Sequence, residues 1–88
     1  GDIAGAEPLF ARLTELAPGE PNAWAGLGRC RLELGKPEAA LLALRRAFER
    51  DKSLVNEART DSDFDPIRET EEFRKLMEEF GSNEKSAD

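Results

Sequence analysis

Histidine and tyrosine are absent from the 88 residues, and cysteine, methionine and tryptophan occur once each. Without histidine the chain lacks the commonest general base and the commonest metal ligand at neutral pH. A single cysteine, Cys30, permits neither an internal disulfide nor a cysteine zinc site. Val55 is the sole valine and apolar–polar alternation never persists, so no stretch reads as a strand. The longest apolar run, Ala39 to Leu44, is far shorter than the ~20 residues that cross a bilayer, which excludes a transmembrane helix. No basic-then-apolar start marks a secretory signal. These absences, with 36% charged residues, set the expectation of a soluble, intracellular protein.

The net charge is −6, and its distribution is uneven. Residues 1–50 hold seven acids and seven bases, whereas residues 51–88 hold twelve acids and six bases, so the whole excess (6 − 12 = −6) lies in the C-terminal part. Nucleic-acid binding normally requires a basic face that releases counterions, and this balance argues against it. A chain of this size buries only about 60% of the surface its unfolded form exposes, so one small domain with a thin core is expected.

What is present is helical periodicity. Ile3, Ala6, Phe10, Leu13 and Leu16 or Ala17 share one stripe, with Asp2 as its cap and Ala17-Pro18-Gly19 as its stop. Pro8 removes a donor and crowds the preceding turn, which predicts a frayed first turn or a regular helix starting near Glu7. A second helix is expected from about Pro21 to Leu34, with Gly35 as the left-handed residue beyond it. A third runs from about Pro37 to Asp51 on a stripe of Ala40, Leu41, Leu44, Ala47 and Phe48. Leu54 to Thr60 suits a short helix and Asp61 to Pro66 a turn. Thr70 then caps a last helix in which Phe73, Leu76, Met77 and Phe80 recur at i, i+3, i+4 and i+7 and which Gly81 closes. Ser82 to Asp88 is polar and predicts a loose tail.

Displacing the chain by 34 residues brings Gly1 onto Gly35, Ala6 onto Ala40, Phe10 onto Leu44, Leu13 onto Ala47 and Asn22 onto Asn56. Trp24-x-x-Leu27-Gly28, then Ala40-x-x-x-Leu44 and Ala47, preceded by Ala6-x-x-x-Phe10 and Pro18, resembles the tetratricopeptide repeat (TPR), a helix–turn–helix unit of that length. The resemblance covers roughly residues 1–60. It departs from the family at Arg31 and Leu44, where aromatics are usual, and at Lys52, where a closing proline is usual. Asp63-Phe64, Ile67-Arg68, Phe73 and Leu76 also look like the ending that follows a last repeat.

The resemblance implies an all-α fold, a right-handed superhelical stack of antiparallel helix pairs. Residues 1–19 would be the second helix of a truncated repeat, 20–53 a full repeat, 54–81 a degenerate repeat with capping helices, and 82–88 a flexible tail. Trp24, Leu27, Gly28, Cys30, Arg31 and Leu34 share one side of the second helix, and Gly28, Ala40 and Ala47 are small where helices must approach. Trp24 is expected to be a large buried plate, completed by Phe10, Leu13, Leu16, Leu44 and Phe48. On this reading the sequence opens inside a unit, and the bare side of the first helix is expected to be covered by another chain, a second copy included, or by an upstream segment.

In TPR proteins the first helix of each pair lines a concave groove that holds partner peptides. The resemblance therefore implies partner contacts from Asn22, Ala25, Gly26, Arg29 and Glu33, with Leu32 on the same face, and from Asn56, Arg59 and Thr60 of the next unit. Asn22 would hydrogen-bond a peptide backbone, Arg29 would grip a carboxylate, and Ala25 and Gly26 would leave room for the ligand. The alternative is an ordinary solvated helix face. The Lys and Asn with which some members clamp chaperone tails are replaced here by Ala25 and Arg29.

Asp61-x-Asp63-x-Asp65 with Glu72 imitates a calcium loop, but Pro66 stands where a flexible glycine is needed and Arg68 where an apolar residue belongs. Gly26-x-Gly28 lies inside a helix and cannot cradle phosphate, and the serines have no histidine beside them. No cofactor, metal or catalytic set is expected. The expected function is that of a non-enzymatic scaffold or adaptor that binds a protein or peptide, without nucleic acid and without membrane insertion. The second reading is a structural or regulatory segment packed onto a larger enzyme. Helical-repeat RNA binding would need a basic concave face, for which Arg29 alone is too little.

Overall fold

The computed structural model describes the backbone of residues 3–86 and the side chains of residues 5–81. Helix α1 spans Ile3–Leu16, α2 Pro21–Glu33, α3 Pro37–Arg50 and α4 Ser53–Thr60. A 3₁₀ turn at Ser62–Phe64 leads into the one-turn helix α5 (Asp65–Arg68), and α6 spans Glu71–Ser86. No strand occurs among the described residues.

Local chemistry sets most of these boundaries. Pro21 and Pro37 open α2 and α3, where a missing N–H costs nothing. Gly35, at φ 78°, ends α2, while the Leu34, Gly35 and Lys36 amides return to the carbonyls of Cys30, Leu32 and Arg31. Asp51 supplies the turn at the start of α4, accepting from the Ser53 amide at 3.0 Å and its hydroxyl at 2.7 Å. This turn stands in place of the closing proline that Lys52 replaces. Thr70 caps α6 as expected, its Oγ1 accepting from the Phe73 amide at 3.2 Å.

Two boundaries differ from expectation. Helix α1 starts at Ile3 and carries Pro8 inside it. Pro8 is exposed, so water can serve the carbonyl it leaves without a donor. The expected cap, Asp2, lies outside the described residues. Helix α6 passes through Gly81 to Ser86 instead of ending at Gly81. The glycine provides space there, because the Arg59 guanidinium sits where a β-carbon would be. Residues 87–88 of the expected tail lie outside the described residues.

Short loops fold α2 back on α1 and α3 back on α2. Along the first pair Glu7 meets Arg31 and Phe10 meets Gly26; along the second Gly28 meets Leu44 and Ala40. Helix α6 instead runs beside α3 in the same direction, with Arg45 bonded to Glu79 at 2.6 Å and the Phe48 and Phe80 rings 5.8 Å apart, edge to face. The buried positions of α3 (Ala40, Ala43, Leu44, Ala47, Phe48) recur in α6 as Phe73, Leu76, Met77, Phe80 and Gly81, each 33 residues later (73 − 40 = 33). The smallest dimension of the molecule, 18 Å, fits two layers of helices about 10 Å across.

The core joins α2, α3, α4, the 3₁₀ turn, α5 and α6, with Phe48, Leu44 and Val55 wholly enclosed. Leu27 is also wholly enclosed. Leu44 and Phe48 thus take their expected places. Trp24 is half-buried and not a fully buried plate: its N–H donates to the Pro18 carbonyl at 2.8 Å and Arg50 lies 5.8 Å from its ring centre. An indole N–H needs a polar partner, which holds that edge of the ring toward the surface. Leu13 and Leu16 are 46% and 68% exposed, because α1 turns Phe10, Ala11 and the buried Thr14 inward. The Thr14 hydroxyl donates to the Ala11 carbonyl at 2.7 Å, so its burial leaves no donor unpaired. Cys30 is buried as expected; burial, reinforced by the Glu7 and Glu33 carboxylates, pushes its thiol above the usual range.

Helices α2 and α3 approach closely at Gly28, where a β-carbon would lie 3.1 Å from Leu44 and 3.3 Å from the Ala40 carbonyl. Gly28→Val should therefore cost about 1–3 kcal/mol through overpacking. Gly5→Ala, at an exposed α1 position with open space around it, should leave stability unchanged or raise it by about 0.5–1 kcal/mol. Urea unfolding of both variants beside the parent chain checks this; a neutral Gly28→Val would contradict the packing described.

Candidate partner-binding face

Arg29 projects from α2 toward the elbow that follows α4. Its Nη2 donates to Asp61 at 3.0 Å, its Nε lies 3.4 Å from Asp63, and its guanidinium stacks 5.6 Å above the Phe64 ring. From the other side Arg68 donates to the Ala58, Arg59 and Asp61 carbonyls and to the Asp65 carboxylate. Asp61 is held below the usual carboxylate range. The Asp63 amide is the largest cause, followed by the Arg29 hydrogen bond and the Arg29 and Arg68 charges, against an opposing contribution from burial. The three aspartates that imitate a calcium loop thus each turn to an arginine, and Glu72 lies apart in a groove between α3 and α6.

The residues expected to meet a partner are divided by this arrangement. Ala25 and Gly26 are buried: Ala25 belongs to the core, and the Phe10 ring of α1 occupies the space beside Gly26 so closely that a methyl there would overlap it. The room expected for a ligand is filled from within the chain. Leu32 is also buried. Arg29 spends its charge on Asp61 and Asp63, so its expected grip on a partner carboxylate gives way to an internal clamp.

Asn22, Glu33, Asn56 and Arg59 remain exposed, as does Thr60. Asn22 edges an apolar hollow of about 240 Å³ formed by Phe10, Leu13, Ala17 and Ala23, with Glu20 opposite. Arg59 donates to Asn56 at 3.4 Å and lines a second hollow of about 390 Å³ with Phe73 and Met77 at its base and Arg68, Arg74 and Glu78 around it. Asn56 and Arg59 are thus brought together, and Asn22 lies apart from them at the α1 end.

Two features went unread in the sequence. The opposite charges at Arg29 and Asp63, one repeat length apart, were a usable signal for the clamp. Arg31, the departure from an aromatic, bridges three helices: it lies 3.3 Å from Glu7 on α1 and donates to the Ala39 carbonyl on α3 at 3.3 Å. Among the described residues no group of acidic or cysteine side chains converges as a metal site, and no helix is long and apolar enough to cross a membrane.

The paired helices, the close approach at Gly28 and the stride shared by α3 and α6 describe a helical repeat, and the tetratricopeptide repeat profile matches residues 1–60. The chain belongs to the tetratricopeptide repeat family. Neither a curated protein nor a solved structure matches it significantly. TPR units serve as protein-interaction modules, and in this TPR chain the exposed polar groups of α2 and α4 are what the internal clamp leaves unused.

Because Asp61 is a stronger acid folded than unfolded, the unfolded state binds more protons as pH falls through the ordinary carboxylate range, near about 4. The clamp's contribution is complete at neutral pH and declines below that range. Asp61→Asn should lower stability at pH 7 and flatten its loss between pH 5 and 3, and Arg29→Ala should cost about 1 kcal/mol at pH 7. Denaturant midpoints across that range test both; an acid limb unchanged in Asp61→Asn would remove Asp61 from the clamp.

Proposed function

We propose that this TPR chain is a non-enzymatic scaffold that presents α2 and α4 to a protein or peptide partner. Residues 20–53 are read as its full repeat, 1–19 as the second helix of the preceding unit and 54–81 as a modified following unit. The shared burial stride of α3 and α6 supports the last assignment. The observation that carries the functional reading is the division of polar side chains. Arg29 is engaged internally, whereas Asn22, Glu33, Asn56 and Arg59 stay exposed, two of them beside apolar hollows. A polar group at the edge of an apolar hollow is the arrangement that fixes a bound segment's register while the hollow supplies affinity. The six arginines and lysines against twelve acids in residues 51–88 favour protein over nucleic acid as the partner. The low cysteine content and charge-rich surface go with a soluble, intracellular setting.

One observation favours the second reading, a structural segment packed on a larger assembly or on a second copy. Leu9, Leu13 and Leu16 are 68%, 46% and 68% exposed and share one side of α1 beside the hollow that Asn22 edges. Leucines at that spacing are a helix-packing stripe.

Affinity capture separates the two. Asn22→Ala/Arg59→Ala should lose captured partners at least fivefold, because both side chains are exposed, and its helical circular dichroism should match the parent's, which shows that α6 keeps its place without the Arg59 guanidinium beside Gly81. Leu9→Ser/Leu13→Ser should leave that capture intact while abolishing any concentration-dependent mass in sedimentation. Full retention of partners by the Asn22/Arg59 variant, with loss in the leucine variant, would replace the scaffold by the packed segment.

A further inference from the structure

A groove that shares no residue with the α2–α4 face lies between α3 and α6, read above as the second helices of their units. It measures about 430 Å³ and is lined by Glu38, Leu41, Leu42, Arg45, Glu72 and Leu76, with Lys75 at its side. Leu76 is buried and Leu41 half-buried, whereas Leu42 is 66% exposed although it stands in the middle of an apolar helix run. A core position does not require a leucine there.

The charges around this groove are not balanced. Arg45 stacks 5.7 Å above Phe80 and is bonded to Glu79 at 2.6 Å, and this hydrogen bond is the main cause that raises the affinity of Arg45 for its proton and holds Glu79 below the usual range. Lys75 lies 3.6 Å from Glu71. Both bases are therefore matched within α3 and α6. Glu38 and Glu72 have no basic partner among the described residues, and both sit at the end of the groove where α3 and α6 begin. The helix dipoles there offset about half a charge each, which leaves roughly one negative charge over an apolar floor.

We propose that this groove receives a basic amphipathic helix of another protein, with leucine-sized side chains set on Leu41, Leu42 and Leu76 and a lysine or arginine placed between Glu38 and Glu72. A helix fits because α3 and α6 run in the same direction and their side-chain ridges leave a linear channel between them. The unmatched carboxylates fix which end of the channel the basic residue occupies.

The probe is a fluorescein-labelled helical peptide of alanine, leucine and lysine, with leucines at i, i+3 and i+7 and lysines on both edges. Two controls replace its lysines by glutamates or its leucines by serines. In fluorescence anisotropy the 88-residue chain should bind the leucine–lysine peptide at least tenfold tighter than either control. Leu42→Ser should weaken that binding at least fivefold, and Glu38→Lys/Glu72→Lys should invert the preference toward the glutamate peptide. If the double reversal disturbs the helical circular dichroism, Glu38→Gln/Glu72→Gln replaces it, and loss of the lysine preference is the expected result. Asn22→Ala/Arg59→Ala should bind as the parent does, which separates this groove from the α2–α4 face. Equal binding of the serine–lysine control, or an unchanged affinity in Leu42→Ser, would reduce the interaction to net charge and overturn the proposal. So would a loss confined to the Asn22/Arg59 variant.

Discussion

The architecture depends on how closely two neighbours can approach α2. Gly26 admits the Phe10 ring from α1 on one side, and Gly28 admits Leu44 and the Ala40 backbone from α3 on the other. Two glycines in a 13-residue helix carry a propensity cost of roughly 1 kcal/mol each. The gain is contact on both flanks, and α2 accordingly buries seven of its residues, from Ala23 to Leu32. A helix enclosed on two sides becomes the fixed member against which α1 and α3 are positioned. Everything the chain presents outward is set by that orientation.

Arginines then fasten the layers, and they do so more than once in the same way. Arg29 lies over Phe64, Arg45 over Phe80 and Arg50 over Trp24, each also hydrogen-bonded to an oxygen acceptor nearby. The guanidinium plane covers an aromatic face while its edge remains available to a carboxylate or carbonyl, a combination an ammonium group does not reproduce. In a chain with few aromatics this extends a thin core outward using charged residues. It also explains why the acidic excess does not simply repel: Asp61, Asp63 and Glu79 face arginines from the balanced N-terminal part.

Much of the fold was legible because its signals are local. Pro21, Pro37, Gly35 and Thr70 act within a turn of where they stand, and the spacing of Ala40, Leu44, Ala47 and Phe48 marks an inward face whatever lies opposite. Trp24-x-x-Leu27-Gly28 with Ala40 pointed to the family. The candidate site was less legible, because a polar or small residue on a helix carries no sign of its partner. Gly26 looked like space for a ligand and holds Phe10; Arg29 looked available and is matched across 32 residues of sequence by Asp61. Leu13 and Leu16 share a helical stripe with Phe10, but a stripe gives only a direction, and the rotation of α1 about its axis was decided by Gly26 and by Glu7 meeting Arg31.

The solitary sulfhydryl of Cys30 sits in the last turn of that enclosed α2, shielded and kept in its protonated form. A disulfide-exchange reagent can reach it only when the neighbouring helices part, so the speed of its chemical labelling is an intrinsic clock for the opening of the stack. The molecule thus carries its own gauge of internal breathing, one that needs no added tag and that would slow whenever a bound protein holds the layers shut.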